Sequence, residues 1–86
     1  MPIVYRFHGI TIQLNWREHN PPHFHATYAG AEASYAIQDL ELMQGRLPPR
    51  AQAMVLKWAA SHRQELLENW KRVQNHQSPI RISPLK

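Results

Sequence analysis

The sequence predicts an α+β fold: a small antiparallel sheet of four to five strands, followed by one long or two shorter helices packed on one face. Two patterns predict it. Apolar and polar residues alternate along residues 3–37, which is typical of half-buried strands. Along residues 48–76, apolar residues recur at three- and four-residue steps, which is typical of an amphipathic helix. Eighty-six residues form one domain, residues 1–86.

The sheet is expected within residues 1–45. Residues 3–7 and 10–17 alternate on either side of Gly9, which predicts a hairpin with its turn at the glycine. A third strand begins near His23, and a fourth follows the turn at Ala29-Gly30. Residues 39–45 form a fifth strand or a loop.

The register of the second and third strands follows from keeping apolar side chains on one face. Pairing Asn15 with His25, and Arg17 with His23, separates the polar from the apolar residues. Gln13 would then face Thr27. This pairing predicts that Arg17, His23 and His25 lie together on the sheet face away from the helices, with Phe24 in the core.

The helical part spans residues 48–76, and Pro48-Pro49 suits a first helical turn. Ser61 and Gln64 have the spacing of a capping box, which indicates a break near residues 60–61. His62 falls on the apolar stripe and is expected as a core histidine with a hydrogen-bond partner. The tail, residues 77–86, is expected to return as an edge strand around residues 80–82.

Charge is distributed unevenly. Residues 1–47 carry three basic and four acidic side chains, whereas residues 48–86 carry seven basic and two acidic. The positive half would attract RNA or an acidic protein, and the residues expected to bind nucleic acid are Lys57, Lys71, Arg50 and Arg63. The alternative is a solvated helix face.

The chain has no cysteine, so disulfides and thiolate metal sites are excluded. It shows neither the apolar run of a signal peptide nor a stretch of transmembrane length. We therefore expect a cytoplasmic protein with no membrane partner, and an oligomer is compatible with the sequence.

Three of the six histidines, His19, His23 and His25, fall within residues 19–25, around the stiff Pro21-Pro22 pair. One interpretation is a metal site. His23 and His25 would project from the same side of a strand, and His19 would fold over as a third ligand, with a divalent metal such as zinc.

The other interpretation needs no cofactor. Cleavage of RNA beside a 2′-hydroxyl requires a base, an acid and a cation. His23, His25, His19 and Glu18 are the candidates for base and acid. Arg17 is the candidate for the cation.

Several segments resemble a small bacterial family that is known only as a domain of unknown function. The resemblance lies in residues 6–10 (RFHGI), residues 18–26 (EHNPPHFHA), residues 45–48 (GRLP), Trp58, residues 62–63 and 65–70, and residues 82–85. It implies a bacterial cytoplasmic protein. It also implies a small partner protein encoded nearby, in an arrangement similar to toxin–antitoxin pairs.

The leading hypothesis is therefore a toxin-like component of a two-protein module that acts on RNA through its histidines and Arg17. The alternative is a non-catalytic binding or regulatory protein that holds a divalent metal at His19, His23 and His25. Metal bound at one per chain would favour the alternative.

Overall fold

The sheet is a five-stranded antiparallel meander, and two helices follow it. A computed structural model describes residues 3–15 and 21–82. The strands are β1 (Ile3–Phe7), β2 (Ile10–Gln13), β3 (His23–Tyr28), β4 (Ala31–Ala36) and β5 (Leu42–Gly45), and the helices are α1 (Pro49–Ser61) and α2 (Arg63–Gln74). Each strand pairs with the next one in the chain. The α+β prediction is confirmed, with residues 42–45 as a strand and the helical part divided in two.

Two tight turns connect β1 to β2 and β3 to β4. His8 and Gly9 both have positive φ angles, of 47° and 79°, and Ala29 and Gly30 have 49° and 86°. Two successive residues with positive φ form the type of two-residue turn that matches the twist of a hairpin. These turns fix the register of both hairpins.

The register between β2 and β3 differs from the predicted one. Gln13 pairs with His25, and Thr11 pairs with Thr27, so the strands are shifted by two residues relative to the predicted pairing of Asn15 with His25. A shift of two leaves every side chain on its predicted face. Strand β2 ends at Gln13, and the predicted partner of His23, Arg17, lies outside the described residues.

One face of the sheet packs against α1. Phe24 is fully buried, 5.6 Å from Tyr35 and 6.4 Å from Trp58 between ring centroids. Trp58 also stacks on Tyr5 at 5.0 Å. The strands, the residues that follow β2 and β4, and both helices supply further fully buried aliphatic side chains, which include Ile10, Ile12, Leu14, Ile37, Val55, Leu66 and Val73. The expectation that Phe24 lies in the core is confirmed.

The helical part breaks at His62. The His62 N–H donates to the carbonyl of Ala59 at 3.0 Å, and its Nδ1 donates to the carbonyl of Trp58 at 2.8 Å. The residue is 5% exposed, so the prediction of a core histidine with a partner is confirmed. The predicted capping box is wrong, because His62 itself precedes α2 and no side chain caps that helix.

The tail is held mainly by a side chain. Asn69 is buried, its Nδ2 donates to the Ile80 carbonyl at 2.8 Å, and its Oδ1 accepts from the Ile80 N–H at 2.7 Å. The Ile82 N–H then donates to the carbonyl of Val4 in β1 at 3.0 Å. Residues 77–82 nevertheless form no strand. In the part of the chain that the structure describes, no helix has the length and apolar character needed to span a bilayer.

Candidate functional site

A row of polar side chains crosses the sheet on the face opposite α1. Gln13 of β2 pairs with His25 of β3, His25 pairs with Ser34 of β4, and Ser34 pairs with Gln44 of β5. Directly paired residues project to the same side of a sheet, so these four side chains are neighbours. Gln13 and Ser34, on either side of His25, are buried polar residues.

A second polar row lies beside the first. Arg6 pairs with Thr11, Thr11 with Thr27, and Thr27 with Glu32. Together the two rows form what we call the polar face: Gln13, His25, Ser34, Gln44, Arg6, Thr11, Thr27 and Glu32. It carries one guanidinium and one carboxylate at opposite ends of the second row.

His25 is held at the centre of the polar face. Its Nδ1 lies 3.5 Å from Oε2 of Glu32, and the two side chains are 14% and 57% exposed. This distance is long for a hydrogen bond but within the range of an ion pair when the imidazole is protonated. The carboxylate beside Nδ1 orients the ring.

His23 occupies a more enclosed position than predicted. Its ring centroid lies 5.3 Å from that of His25 and 5.2 Å from that of Trp70 in α2. The expectation that both rings lie away from the helices therefore holds for His25 only. His23 is the first residue of β3, at the end of the sheet that α2 reaches, and it is 7% exposed.

The oxygen atoms beside Nδ1 favour one tautomer of each neutral ring. Nδ1 of His23 lies 2.9 Å from the carbonyl oxygen of Pro21, which can only accept, so Nδ1 carries the proton. In neutral His25, the Glu32 carboxylate favours the same tautomer. Nε2 then carries the lone pair in both rings. An imidazole in this state is competent as a general base or as a metal ligand.

The other predicted catalytic residues belong to residues 16–20. His19, Glu18 and Arg17 lie outside the described residues. Residues 3–15 and 21–82 contain no group of three histidine or acidic side chains that could hold a metal ion. A metal site at His23 and His25 would therefore need a ligand such as His19 from beyond these ranges.

The four basic residues expected to bind nucleic acid are all exposed, Lys57 and Arg50 on α1 and Lys71 and Arg63 on α2. The spacing of 14 residues between Lys57 and Lys71 would place them close to the same face of one continuous helix. The chain breaks at His62, so the two lysines belong to different helices.

The structure adds three residues that the sequence argument did not assign to the site. An open cavity of about 320 Å³ is lined by His25, Glu32, Ala33, Ser34, Gln44 and Gly45. Glu32, Ser34 and Gln44 contribute its polar side chains. Alternation along β4 contained the signal for Glu32 and Ser34, but the pairing of β4 with β5 was needed to add Gln44.

The comparisons with known proteins agree with the resemblance in its broad form. Searches among curated proteins and among solved structures found no match. Residues 9–71, well over half of the chain, match the family described as domain of unknown function DUF4160. That stretch includes β2 to β5, α1 and most of α2, and thus both histidines and the cavity beside them. The chain therefore belongs to the DUF4160 family.

Proposed function

We propose that this chain is the toxin-like member of a bacterial two-protein module and cleaves RNA at the polar face by metal-free acid–base catalysis. The observation that carries the proposal is the pair of adjacent imidazoles, His23 and His25. Each has an oxygen acceptor beside its Nδ1, and an open cavity adjoins His25. Two imidazoles are sufficient for a reaction that needs one base and one acid.

His25 is the general base. It accepts the proton of a 2′-hydroxyl, the 2′-oxygen attacks the adjacent phosphorus, and the bond to the 5′-oxygen of the next nucleotide breaks. The leaving oxygen takes a proton from the acid, which must be an imidazolium, and His23 and His19 are the candidates for it. The products are a 2′,3′-cyclic phosphate and a free 5′-hydroxyl. Glu32 positions His25 and stabilises the imidazolium that forms.

Positive charge supports this substrate class. Arg6 lies on the polar face, two strands from His25, and can contact the RNA backbone there, and Arg17 is the predicted cation for the reacting phosphate. The excess of basic residues in residues 48–86 would attract the RNA backbone from a distance.

The test is an RNA-cleavage assay with purified protein, in the presence and absence of a chelator. His25→Asn is expected to lower the rate by roughly 10²–10⁴-fold, the usual contribution of a general acid or base. His8→Asn is the matched control, because His8 is exposed and has a positive φ that asparagine tolerates. Cleavage that requires a metal, or that survives His25→Asn unchanged, would overturn the mechanism.

The role in a module is tested in cells. Induction of this chain is expected to arrest growth, and co-expression of the small protein encoded nearby is expected to restore it. The His25→Asn variant should be harmless at the same expression level. If His25→Asn arrests growth as strongly as the unaltered chain does, toxicity does not depend on the polar face.

A regulatory metal-binding function is the second candidate. Metal-bound histidines commonly donate their other ring N–H to a carbonyl or a carboxylate, and both His23 and His25 have such an acceptor. His19 would complete a three-histidine site for a divalent ion such as zinc. Elemental analysis of untagged protein decides between the candidates: one metal per chain, lost in His23→Ala, favours this function.

A further inference from the structure

The cavity beside His25 has lining chemistry that suits a nucleobase better than a phosphate. Its polar side chains are the imidazole of His25, the carboxylate of Glu32, the hydroxyl of Ser34 and the amide of Gln44. None of the six residues that line it is a lysine or an arginine. The lining contains a carboxylate, which repels an anion, and no lysine or arginine to offset it, so this lining does not favour a phosphate.

A carboxylate and an amide instead match a planar ligand with adjacent N–H donors. Guanine presents such donors, N1–H and the 2-amino group, on one edge, and it presents acceptors at O6 and N7. Adenine presents an acceptor at N1, which a carboxylate repels. Uracil offers a single N–H donor between two carbonyl acceptors.

We propose that the cavity is a guanine-recognition subsite for single-stranded RNA, in which Glu32 accepts from the N1–H and 2-amino groups and Gln44 reads the remaining polar edge. The inference rests on the proposed function, since it names the base beside the bond that is cleaved. Glu32 adjoins both His25 and the cavity. A base held there would lie beside the ring that accepts the 2′-hydroxyl proton, and cleavage would occur next to guanine.

Close packing of β5 on β4 maintains the shape of the cavity. Gly45 has a φ of 74°, and a Cβ at this position would overlap the carbonyl oxygen of Glu32. The Arg46 N–H donates to that same carbonyl at 3.1 Å, which secures the end of β5. Glu32 and Gln44 therefore line the cavity from neighbouring, tightly paired strands.

The experiment measures binding of guanosine, inosine and adenosine 5′-monophosphates by titration, followed through the His25 ring signals in NMR spectra. All three ligands carry the same phosphate, so differences in affinity are due to the base. We expect the guanine nucleotide to bind about tenfold more tightly than the adenine nucleotide, the discrimination of one good bidentate contact. Inosine lacks the 2-amino group and should bind with intermediate affinity.

Two variants and one control identify the contacts. Glu32→Gln should abolish the preference for guanine, and Gln44→Ala should reduce it, while circular dichroism verifies the fold of each. Glu41→Gln removes the same charge from an exposed residue just before β5 and should keep the full preference. If Glu32→Gln does not fold, the Gln44→Ala result alone decides: an unchanged preference overturns the proposal.

The guanine subsite and the RNA-cleavage activity can fail independently of each other. RNA cleavage without preference for guanine, together with equal binding of the three nucleotides, overturns the subsite and leaves the catalytic proposal in place. Guanine-selective binding without RNA cleavage supports the subsite and overturns the catalysis. Tighter binding of arginine ethyl ester than of guanosine 5′-monophosphate would assign the cavity to a guanidinium group of a protein and overturn the proposal.

Discussion

Phe24 and His25 are neighbours in β3, and they face opposite sides of the sheet. The Phe24 ring is fully buried between Tyr35 and Trp58, whereas the His25 ring lies beside Glu32 on the polar face. One strand thus supplies the centre of the core and the centre of the candidate site. Because of this division, a substitution on one face can change stability while a substitution on the other changes activity.

Replacing Phe24 by alanine should lower the free energy of unfolding by about 3–5 kcal/mol, the cost of removing a buried aromatic ring. His25→Ala, at the next position of the same strand, should cost about 1 kcal/mol or less, since the imidazole is partly exposed. Chemical denaturation of both variants measures the difference. Equal losses of stability would show that the polar face is also a structural core.

His23 should behave differently from His25. His23→Ala removes the bond to the Pro21 carbonyl and the contact with Trp70, so it should lower stability by about 1–3 kcal/mol. Chemical denaturation followed by tryptophan fluorescence measures this loss. His23→Asn with full stability and full RNA-cleavage activity would exclude His23 from both roles, and His19 would remain as the candidate acid.

The sequence could predict faces but not distances. Alternation along β2 and β3 assigned His25 to the side opposite Phe24, because side chains in a strand alternate with a period of two. The same period is unchanged by a shift of two residues, so alternation could not distinguish Asn15 from Gln13 as the partner of His25. The position of His23 depends on where α2 places Trp70, which no local pattern contains.

In the helical part, too, the local sequence pattern predicted which face is buried, whereas tertiary packing determines where the helix breaks. The apolar stripe predicted the buried face of both helices, including His62. The break was expected at a capping box, but the structure has it at His62, whose ring stacks on Trp58 at 5.0 Å and on Tyr5 at 6.4 Å. Packing against the sheet fixes this junction, and side-chain capping does not contribute.

Gly45→Ala should destabilise the protein more than Gly30→Ala. Both glycines have positive φ angles, of 74° and 86°, so both variants carry backbone strain. A Cβ at Gly30 meets no neighbouring atom, whereas one at Gly45 overlaps the Glu32 carbonyl. The difference in unfolding free energy between the variants should exceed about 1 kcal/mol. Identical values would mean that β5 can move away from β4 without loss.

Stability at alkaline pH should depend on Tyr35. Burial raises the pKa of Tyr35 above its ordinary value of 10.0, and its hydroxyl donates to Oε1 of Gln52 at 3.0 Å. The folded state therefore holds this proton more tightly than the unfolded state. Its contribution to stability is full below pH 10 and is lost as pH rises through the raised pKa.

Tyr35→Phe removes that titration. The variant should be less stable than the unaltered chain by about 1 kcal/mol near neutral pH, because the hydrogen bond to Gln52 is lost. Its stability should then fall less steeply above pH 10. Urea unfolding at a series of pH values measures both slopes, and parallel curves for the two proteins would contradict the assignment to Tyr35.

The last prediction concerns the two helices. Lys57 on α1 and Lys71 on α2 are exposed, and residues 48–86 hold most of the positive charge. If they contact RNA phosphates, the logarithm of the binding constant should fall by roughly 0.7 per log unit of salt for each contact with a single strand. Lys57→Gln with Lys71→Gln should therefore make the slope shallower by about two contacts.

Replacing both lysines by arginine is the matched control, because it keeps the charge and should leave the slope unchanged. Because the break at His62 separates the helices, each single variant should also be measured. A change confined to one of them would show that RNA follows only α1 or only α2. A steep slope that neither lysine affects would move the phosphate contacts to Arg6 on the polar face, and a flat slope would exclude nucleic acid as the partner.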